Sequence, residues 1–277
     1  MKKTVGCIGS GNMGTALMKG IGGMVGPENI GFSDVDQPKV KAVAASLGAK
    51  VYASNTEVVE QADYVFLAVK PQILKSVLGE IQPAVKGRLL GEKNGGKPLT
   101  IVSMAAGWPI AKIQDCLEVS VPLARIMPNT PALIAKGVIA YAASPELSAQ
   151  GLEELEKMLS SAGMVDRLEE HYMDSVTGLS GSGPAFVYVF IEALADGGVR
   201  AGLPRDKALR YAAQTVMGAA GMAVESGKHL GELRDMVTSP GGTAIAGITA
   251  LENGAFRGTV INAVEAAWRR ASELSNP

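Results

Sequence analysis

Apolar and polar positions divide the chain into two regimes. Up to about residue 167, short continuous apolar runs alternate with longer stretches of helical character. The runs TVGCI (4–8), IGFSD (30–34), YVFLAV (64–69), LTIVSM (99–104), PLARIM (122–127), GVIAYAA (137–143) and MVDRL (164–168) read as strands. Between them, NMGTALMKGI, PKVKAVAASLG, EVVEQA, QILKSVLGEI, IAKIQDCL and AQGLEELEKMLSSAG read as helices, the second stopped by Gly48 as a C-cap. GEKNGGKP (91–98) is a turn-rich loop. Continuous apolar strands alternating with helices predict a doubly wound parallel α/β sheet over residues 1–167. Beyond Arg167 the strand-like runs stop. Helices expected at 172–197, 204–226, 230–237, 243–252 and 255–274 make residues 168–277 a second, all-helical domain.

Composition agrees with two packed domains. The chain has 277 residues, 47% hydrophobic and 19% charged, enough for a large core and against disorder. A formal net charge of −1 gives no reason to expect nucleic acid or an anionic membrane as partner. Cys7 and Cys116 sit in apolar contexts and read as reduced core thiols of a cytoplasmic protein. The apolar start is cut by Gly6 and Gly9, too early for a signal segment, and the run PAFVYVFI is far short of a membrane span. Aromatic residues are only 5%, whereas Gly and Ala abound, which favours closely packed helices or a helical subunit interface.

The first candidate site is the glycine loop Gly9-Ser10-Gly11-Asn12-Met13-Gly14. It follows an apolar strand and opens a helix, the context that gives a G-x-G-x-x-G pattern meaning. Gly9 permits the tight turn, Gly11 the approach of a pyrophosphate and Gly14 the packing of helix on strand. Asp34 ends the second strand about twenty positions further on, where an acidic residue binds the ribose 2′-hydroxyl and repels a 2′-phosphate. No Arg or Lys stands between Ser33 and Pro38, so this reading leans toward NADH over NADPH; the alternative is that Asp34 or Asp36 only shapes a turn. LAVKP (67–71) ends the next strand, so Lys70 either approaches cofactor phosphate or ribose or is a solvated helix-start lysine. The small residues of VSMAAG (102–107) either admit the nicotinamide ribose or simply pack tightly.

Ordinary catalytic groups are scarce. His171 and His229 are not spaced as a metal pair, and no metal, C-x-x-C or G-x-S-x-G motif occurs. Gly178, Gly181 and Gly183 match the helical-domain pattern of the β-hydroxyacid dehydrogenases. Val187 and Ile191, however, stand where that pattern carries its lysine and asparagine, so the base is absent. A dinucleotide enzyme without a base suits reduction of a carbon–nitrogen double bond. An imine protonates readily near neutral pH, and the enzyme then mainly positions it against the cofactor. A second anion site stands in VTSPGGTAIAG (237–247), where two glycines lead into a helix whose first amides are free to bind an anion.

IGSGNMG (8–14), LAVKPQ (67–72), MPNTPALIAKG (127–137), GLSGSGPAFVYVFIEALADGGVRAGLP (178–204), TSPGGTAIAG (238–247) and GAFRGTVINAV (254–264) together resemble the pyrroline-5-carboxylate reductase family, nearly end to end. The resemblance implies a Rossmann domain, a helical domain that dimerises, and often a decamer. It implies reduction of (S)-1-pyrroline-5-carboxylate to L-proline with NADPH or NADH, the last step of proline biosynthesis. By the same resemblance, Ile8 to Gly14 (Ile8, Gly9, Ser10, Gly11, Asn12, Met13, Gly14), Asp34, Asn55, Ala68, Val69, Lys70, Pro71, Met104, Ala105 and Ala106 contact the cofactor. Asn129 and Thr130 border the nicotinamide, and Ser239 with the amides of Gly241, Gly242 and Thr243 holds the substrate carboxylate. Two departures stand out. Ala244 replaces the threonine that many members place beside the ring nitrogen, and Asp34-Val35 replace the Arg or Asn that many use for a 2′-phosphate. A reductase of a six-membered cyclic imino acid and a non-catalytic dinucleotide sensor are the competing readings; the second anion site argues against the sensor.

Overall fold

The computed structural model describes residues 3–91 and 98–275, so the loop expected at 91–98 lies almost wholly outside the described residues. The described strands are β1 (Val5–Ile8), β2 (Ile30–Ser33), β3 (Lys50–Val51), β4 (Tyr64–Leu67), β5 (Thr100–Ser103), β6 (Leu123–Pro128), β7 (Gly137–Ala143) and β8 (Gly163–Arg167). They form one sheet in the order β3-β2-β1-β4-β5-β6-β7-β8. Pairing is parallel from β3 through β6. The sheet is doubly wound as expected, but β7 departs from the parallel pattern and runs antiparallel to β6, with Ile126 opposite Tyr141. Residues 129–136, which join the two, are too few for a parallel crossover, which needs about a dozen residues or more.

Helices α1 (Asn12–Val25), α2 (Gln37–Leu47), α3 (Asn55–Gln61), α4 (Pro71–Leu89), α5 (Ile110–Leu117) and α6 (Ala149–Leu159) cover both faces. Strand alternation assigns the faces. Val5, Cys7 and Phe66 point into a cluster with Leu17, Met18 and Ile21 of α1, Val40 of α2 and Leu155 of α6. Ile8, Val65 and Leu67 point the other way, against Val58 of α3, Leu74, Leu78 and Ile81 of α4 and Ile113 of α5. Each such side chain, removed from water, contributes about 1.5–3 kcal/mol. Gly48 ends α2 in the left-handed conformation, φ 68°, as its place in the pattern predicts.

The remaining helices are α7 (Met173–Val176), α8 (Gly183–Arg200), α9 (Arg205–Glu225), α10 (Leu230–Met236), α11 (Thr243–Asn253) and α12 (Phe256–Ser275). The single helix expected over 172–197 is interrupted by a π-helical turn at Thr177–Gly181, inside the glycine-rich GLSGSG stretch. Two compact units result: the described residues up to Gly181 together with those from Ala267, and Ser182–Ala266. This division differs from the boundary expected at 167/168, because the segment after Arg167 and the end of α12 pack with the sheet. Met173 is fully buried in the sheet's core, and the backbone at Gly178 abuts Trp268 of α12.

The second unit has very little interior. Its buried cluster is Ala195, Ala208 and Ala212, flanked by Ile191 and Val199. Tyr188, Val189, Met217, Val224 and Ile261 are all more than half exposed. Phe186, Val187, Phe190, Phe256 and Val260 line an open apolar groove. By length and mean hydropathy (1.2) the stretch Glu170–Arg200 would pass for a membrane span, which the short run PAFVYVFI does not suggest by itself.

Candidate functional site

The glycine loop forms where β1 ends and the chain turns into α1. Gly9 has φ +103°, donates its N–H to Ser33 O at 2.8 Å, and would place a Cβ 2.5 Å from the Ala68 carbonyl oxygen. Only glycine fits there. A Cβ at Gly14 would meet Ala68 Cβ at 2.8 Å and Cys7 Sγ at 3.0 Å, so α1 lies directly on the sheet. Around Gly11 the space is open. No side chain caps the N-terminus of α1, which leaves its first amides pointing out beside the ends of β1 and β4. An uncapped helix start with open space at Gly11 is an arrangement that can take an anion.

A cleft runs from this loop between the ends of β2 and β4. Ile8, Gly9, Gly11, Asp34, Asn55, Ala68, Val69 and Lys70 all line it, together with Ser33, Val35, Lys39, Ile73 and Val77. The other expected cofactor residues lie off this cleft. Ser10 is buried behind the loop, and Met13 packs into the core under α1. Asn12 starts α1 on the exposed side, and Gly14 faces the sheet. Met104, Ala105 and Ala106 follow β5, where the Met104 N–H donates to Leu67 O at 3.3 Å. Pro71 opens α4, and its carbonyl accepts from Trp108 Nε1 at 3.0 Å, which ties the loop after β5 to that helix.

Asp34 is built into the glycine loop. Its Oδ2 accepts from both the N–H and the hydroxyl of Ser10, each at 2.7 Å, and its Oδ1 accepts from Asp36 N–H at 3.1 Å. Partial burial raises its pKa, but the Ser10 bonds, the Asp36 amide and the charge of Lys39 outweigh it and hold the carboxyl below its ordinary value. Asp34 is therefore an anion at the mouth of the cleft and also a brace for the loop. Asn55 is oriented in turn: its Oδ1 accepts from Ser33 Oγ at 2.6 Å and its Nδ2 donates to Glu80 Oε2 at 2.8 Å.

Asn129 and Thr130 follow β6, and their surroundings differ. Asn129 is buried, and its side chain is committed within the protein. Its Nδ2 donates to Ser180 O and Oγ at 3.2 and 3.1 Å, and its Oδ1 accepts from Val138 N–H at 2.9 Å. It thus joins the end of β6 to β7 and to the π-helical turn, where the sequence suggests a group bordering the nicotinamide. Thr130 is exposed and begins a 3-10 turn, Thr130–Ile134. Within β6 itself, Arg125 is almost wholly buried and pairs with Glu170 at 3.4 Å and Asp174 at 3.3 Å. Asp174 also accepts from Ser275 Oγ of α12 at 2.8 Å.

The second anion motif begins α11. Gly241 is left-handed, φ +69°, and Gly242 caps the helix with no side-chain bond. The Gly242 N–H donates to Ser239 O at 3.0 Å, so it is not available to an anion as the sequence suggests. The amides of Gly241 and Thr243 remain as donors, with Ser239 exposed beside them. Ala244 places a methyl in the first turn.

Sequence reading overlooked four of these groups. Lys39 stands one residue beyond the stretch Ser33–Pro38, which holds no Lys or Arg. Glu80, Arg125 and Trp108 act through distant partners that no local pattern marks.

Comparison with known proteins covers both regions. Residues 170–274 match the family described as pyrroline-5-carboxylate reductase dimerisation, and residues 4–90 match that described as NADP oxidoreductase coenzyme F420-dependent. A pyrroline-5-carboxylate reductase of Methanosarcina acetivorans is 44% identical over 98% of this chain and 97% of its own. The solved structure of a pyrroline-5-carboxylate reductase from Coxiella burnetii superposes with TM-score 0.89 at 31% identity, covering 100% of both chains. That of Plasmodium falciparum pyrroline carboxylate reductase, with NADP bound, gives 0.87 at 30% identity, again over 100% of both.

Proposed function

This chain belongs to the pyrroline-5-carboxylate reductase family, and on that premise we propose that its glycine loop and adjoining cleft bind the dinucleotide while the Ser239–Thr243 turn holds the substrate carboxylate. The enzyme reduces 1-pyrroline-5-carboxylate to proline and depends on NAD(P)H. The observation that carries the site assignment is the uncapped start of α1 beside the cleft that contains Asp34 and Asn55. When bound, the dihydronicotinamide supplies hydride to the imine carbon.

The chain's own residues do the positioning. The α1 amides and Gly9–Gly11 take the pyrophosphate. Asp34 accepts from the adenosine ribose hydroxyls, and Val35 and Ile73 offer apolar walls beside it. Its charge supports use of NADH at least as well as NADPH. Asn129 fixes the turn after β6, which leaves Thr130 as the exposed polar group facing outward there. The amides of Gly241 and Thr243 with the Ser239 hydroxyl form the carboxylate cradle, and Gly242 sets the turn's shape through its bond to Ser239. Because such an imine protonates readily, the methyl of Ala244 is compatible with turnover without a side-chain donor at that position.

The match to the dimerisation family shows that residues 170–274 serve self-association. The apolar surface of α8 and α12 supports this, and assembly of dimers into a decamer in the cytoplasm is the reading the family resemblance favours. Steady-state turnover of 1-pyrroline-5-carboxylate with each cofactor tests the site assignment. Cofactor binding without turnover would leave only a dinucleotide sensor, and light scattering that found an active monomer would refute the assembly.

A further inference from the structure

We propose that Lys39 is the residue through which this cleft accepts the 2′-phosphate of NADPH. The inference rests on the reading that the cleft holds the adenosine half of the dinucleotide. Asp34 alone would make the site hostile to a phosphate, yet the cleft is not purely acidic. Lys39, in the first turn of α2, lines the same wall as Asp34, Val35 and Asn55. Its backbone N–H is held by Asp36 Oδ1 at 3.1 Å, which fixes the helix start from which its side chain departs. Among the described residues its ammonium forms no ion pair, and the residue is exposed, so the charge is free to meet an incoming anion. Lys39 also acts on Asp34, helping to hold that carboxyl ionised.

Asp34 is meanwhile drawn toward the loop by three donors: the Ser10 N–H, the Ser10 hydroxyl and the Asp36 N–H. Its carboxylate is therefore partly satisfied before any cofactor arrives. A phosphate on the ribose 2′-oxygen then meets Asp34 with its charge partly screened by those donors, and Lys39 held in no ion pair among the described residues. Lys70 lines the cleft as well, but as the N-cap residue of α4 beside Ala68 and Val69 and not in the first turn of α2. Lys39 and Asp34 then act on the choice of cofactor in opposite directions, because only the 2′-phosphate distinguishes the two.

The test is Lys39→Met in the full-length enzyme, with Lys39→Arg as rescue. kcat/KM with NADPH should fall about tenfold, the effect of losing one charge pair in a partly exposed site, while NADH changes less than about twofold. Lys39→Arg should retain NADPH use. In parallel, adenosine 2′,5′-bisphosphate and AMP are titrated as competitors of NADH. The bisphosphate should lose affinity about tenfold in Lys39→Met and AMP should not. Its advantage over AMP in the wild type should shrink as salt is raised. Equal losses for both cofactors, or an undiminished response to NADPH and the bisphosphate while AMP still competes, would overturn the role of Lys39 and leave the cleft assignment standing. If neither adenosine compound competes with NADH in the wild type, the cleft assignment falls and the role of Lys39 with it.

Discussion

Replacing Asp34 separates the two jobs proposed for its carboxylate. In Asp34→Ser the charge opposing a 2′-phosphate disappears, and so does the acceptor for the ribose hydroxyls. Two unit charges about 4 Å apart interact by ~1 kcal/mol in water and ~4 kcal/mol at an effective dielectric of about 20; for this partly exposed group the lower end applies. A hydrogen bond to a charged acceptor is worth about 1.5–3 kcal/mol, and NADH loses it. The two effects act in the same direction on the ratio of kcat/KM for NADPH over NADH, which should rise by about 3 kcal/mol, or roughly a hundredfold. Both absolute values should also fall, because Ser10, buried at 1% exposure, loses the partner of its N–H and hydroxyl. Asp34→Asn is the control, since its carbonyl oxygen still accepts from Ser10 while the charge is gone. It should shift the ratio with a smaller common loss. Stability gives a second readout. The folded pKa of Asp34 is lowered, so its contribution is complete above the ordinary carboxylate value and is lost as pH falls through the folded value. Asp34→Asn should flatten that acid-side loss. Steady-state rates with both cofactors and thermal melts across acidic pH measure these quantities. A folded Asp34→Ser enzyme whose cofactor ratio stays within about twofold of wild type would refute the argument.

Other consequences follow from the same geometry. Ser239→Ala should raise the KM for 1-pyrroline-5-carboxylate about ten- to a hundredfold, the worth of one hydrogen bond to a charged group, with the cofactor KM nearly unchanged; equal effects on both would argue against the carboxylate cradle. Gly14→Val should push α1 off the sheet, because even a Cβ there lies 2.8 Å from Ala68 Cβ. The expected cost is about 1–3 kcal/mol with weakened dinucleotide affinity, and normal affinity by titration would count against the packing argument. Val260→Asp, in the apolar groove of the helical unit, should abolish the dimer in light scattering; an intact assembly would place the interface elsewhere.

How much of this the sequence discloses depends on the range of each interaction. The glycine loop, Gly48 and the bounds of α5 are local matters, fixed by residues within one turn or one strand, and they read correctly. The direction of β7 is set by a partner strand, although the shortness of 129–136 carries the clue. Lys39 stands beside the cleft only because the first turn of α2 brings it back toward Asp34, which residue spacing in an extended chain would not. Asn129 reads as a site residue because of its neighbours in MPNTP, but its hydrogen-bonding capacity goes to Ser180 and Val138, far from it along the chain or on another strand. Arg88 is a further case. Its guanidinium is fully buried and donates to the carbonyls of Val59 and Pro98 at 2.7 Å, an arrangement that a solvent-seeking residue type does not announce.

The helical unit carries the argument about assembly further than its composition does. Three alanines and two flanking aliphatic residues remove little apolar surface from water, and a unit with so small an interior does not hold together by its own core. Its large apolar side chains are nonetheless present; they lie outside, at Tyr188, Val189, Met217, Val224 and Ile261. A sequence in which the small residues are inside and the large ones outside is organised for close helix contact within the chain and for burial against another copy. Stability should then depend on protein concentration, as it does wherever folding and association are one equilibrium. The π-helical turn at Thr177–Gly181 gains meaning in the same light. It lies just before this unit and is held by Asn129 through Ser180, so the turn after β6 and the root of the association helix α8 share one buried amide. That amide fixes the π-helical turn to the end of β6 within one compact unit.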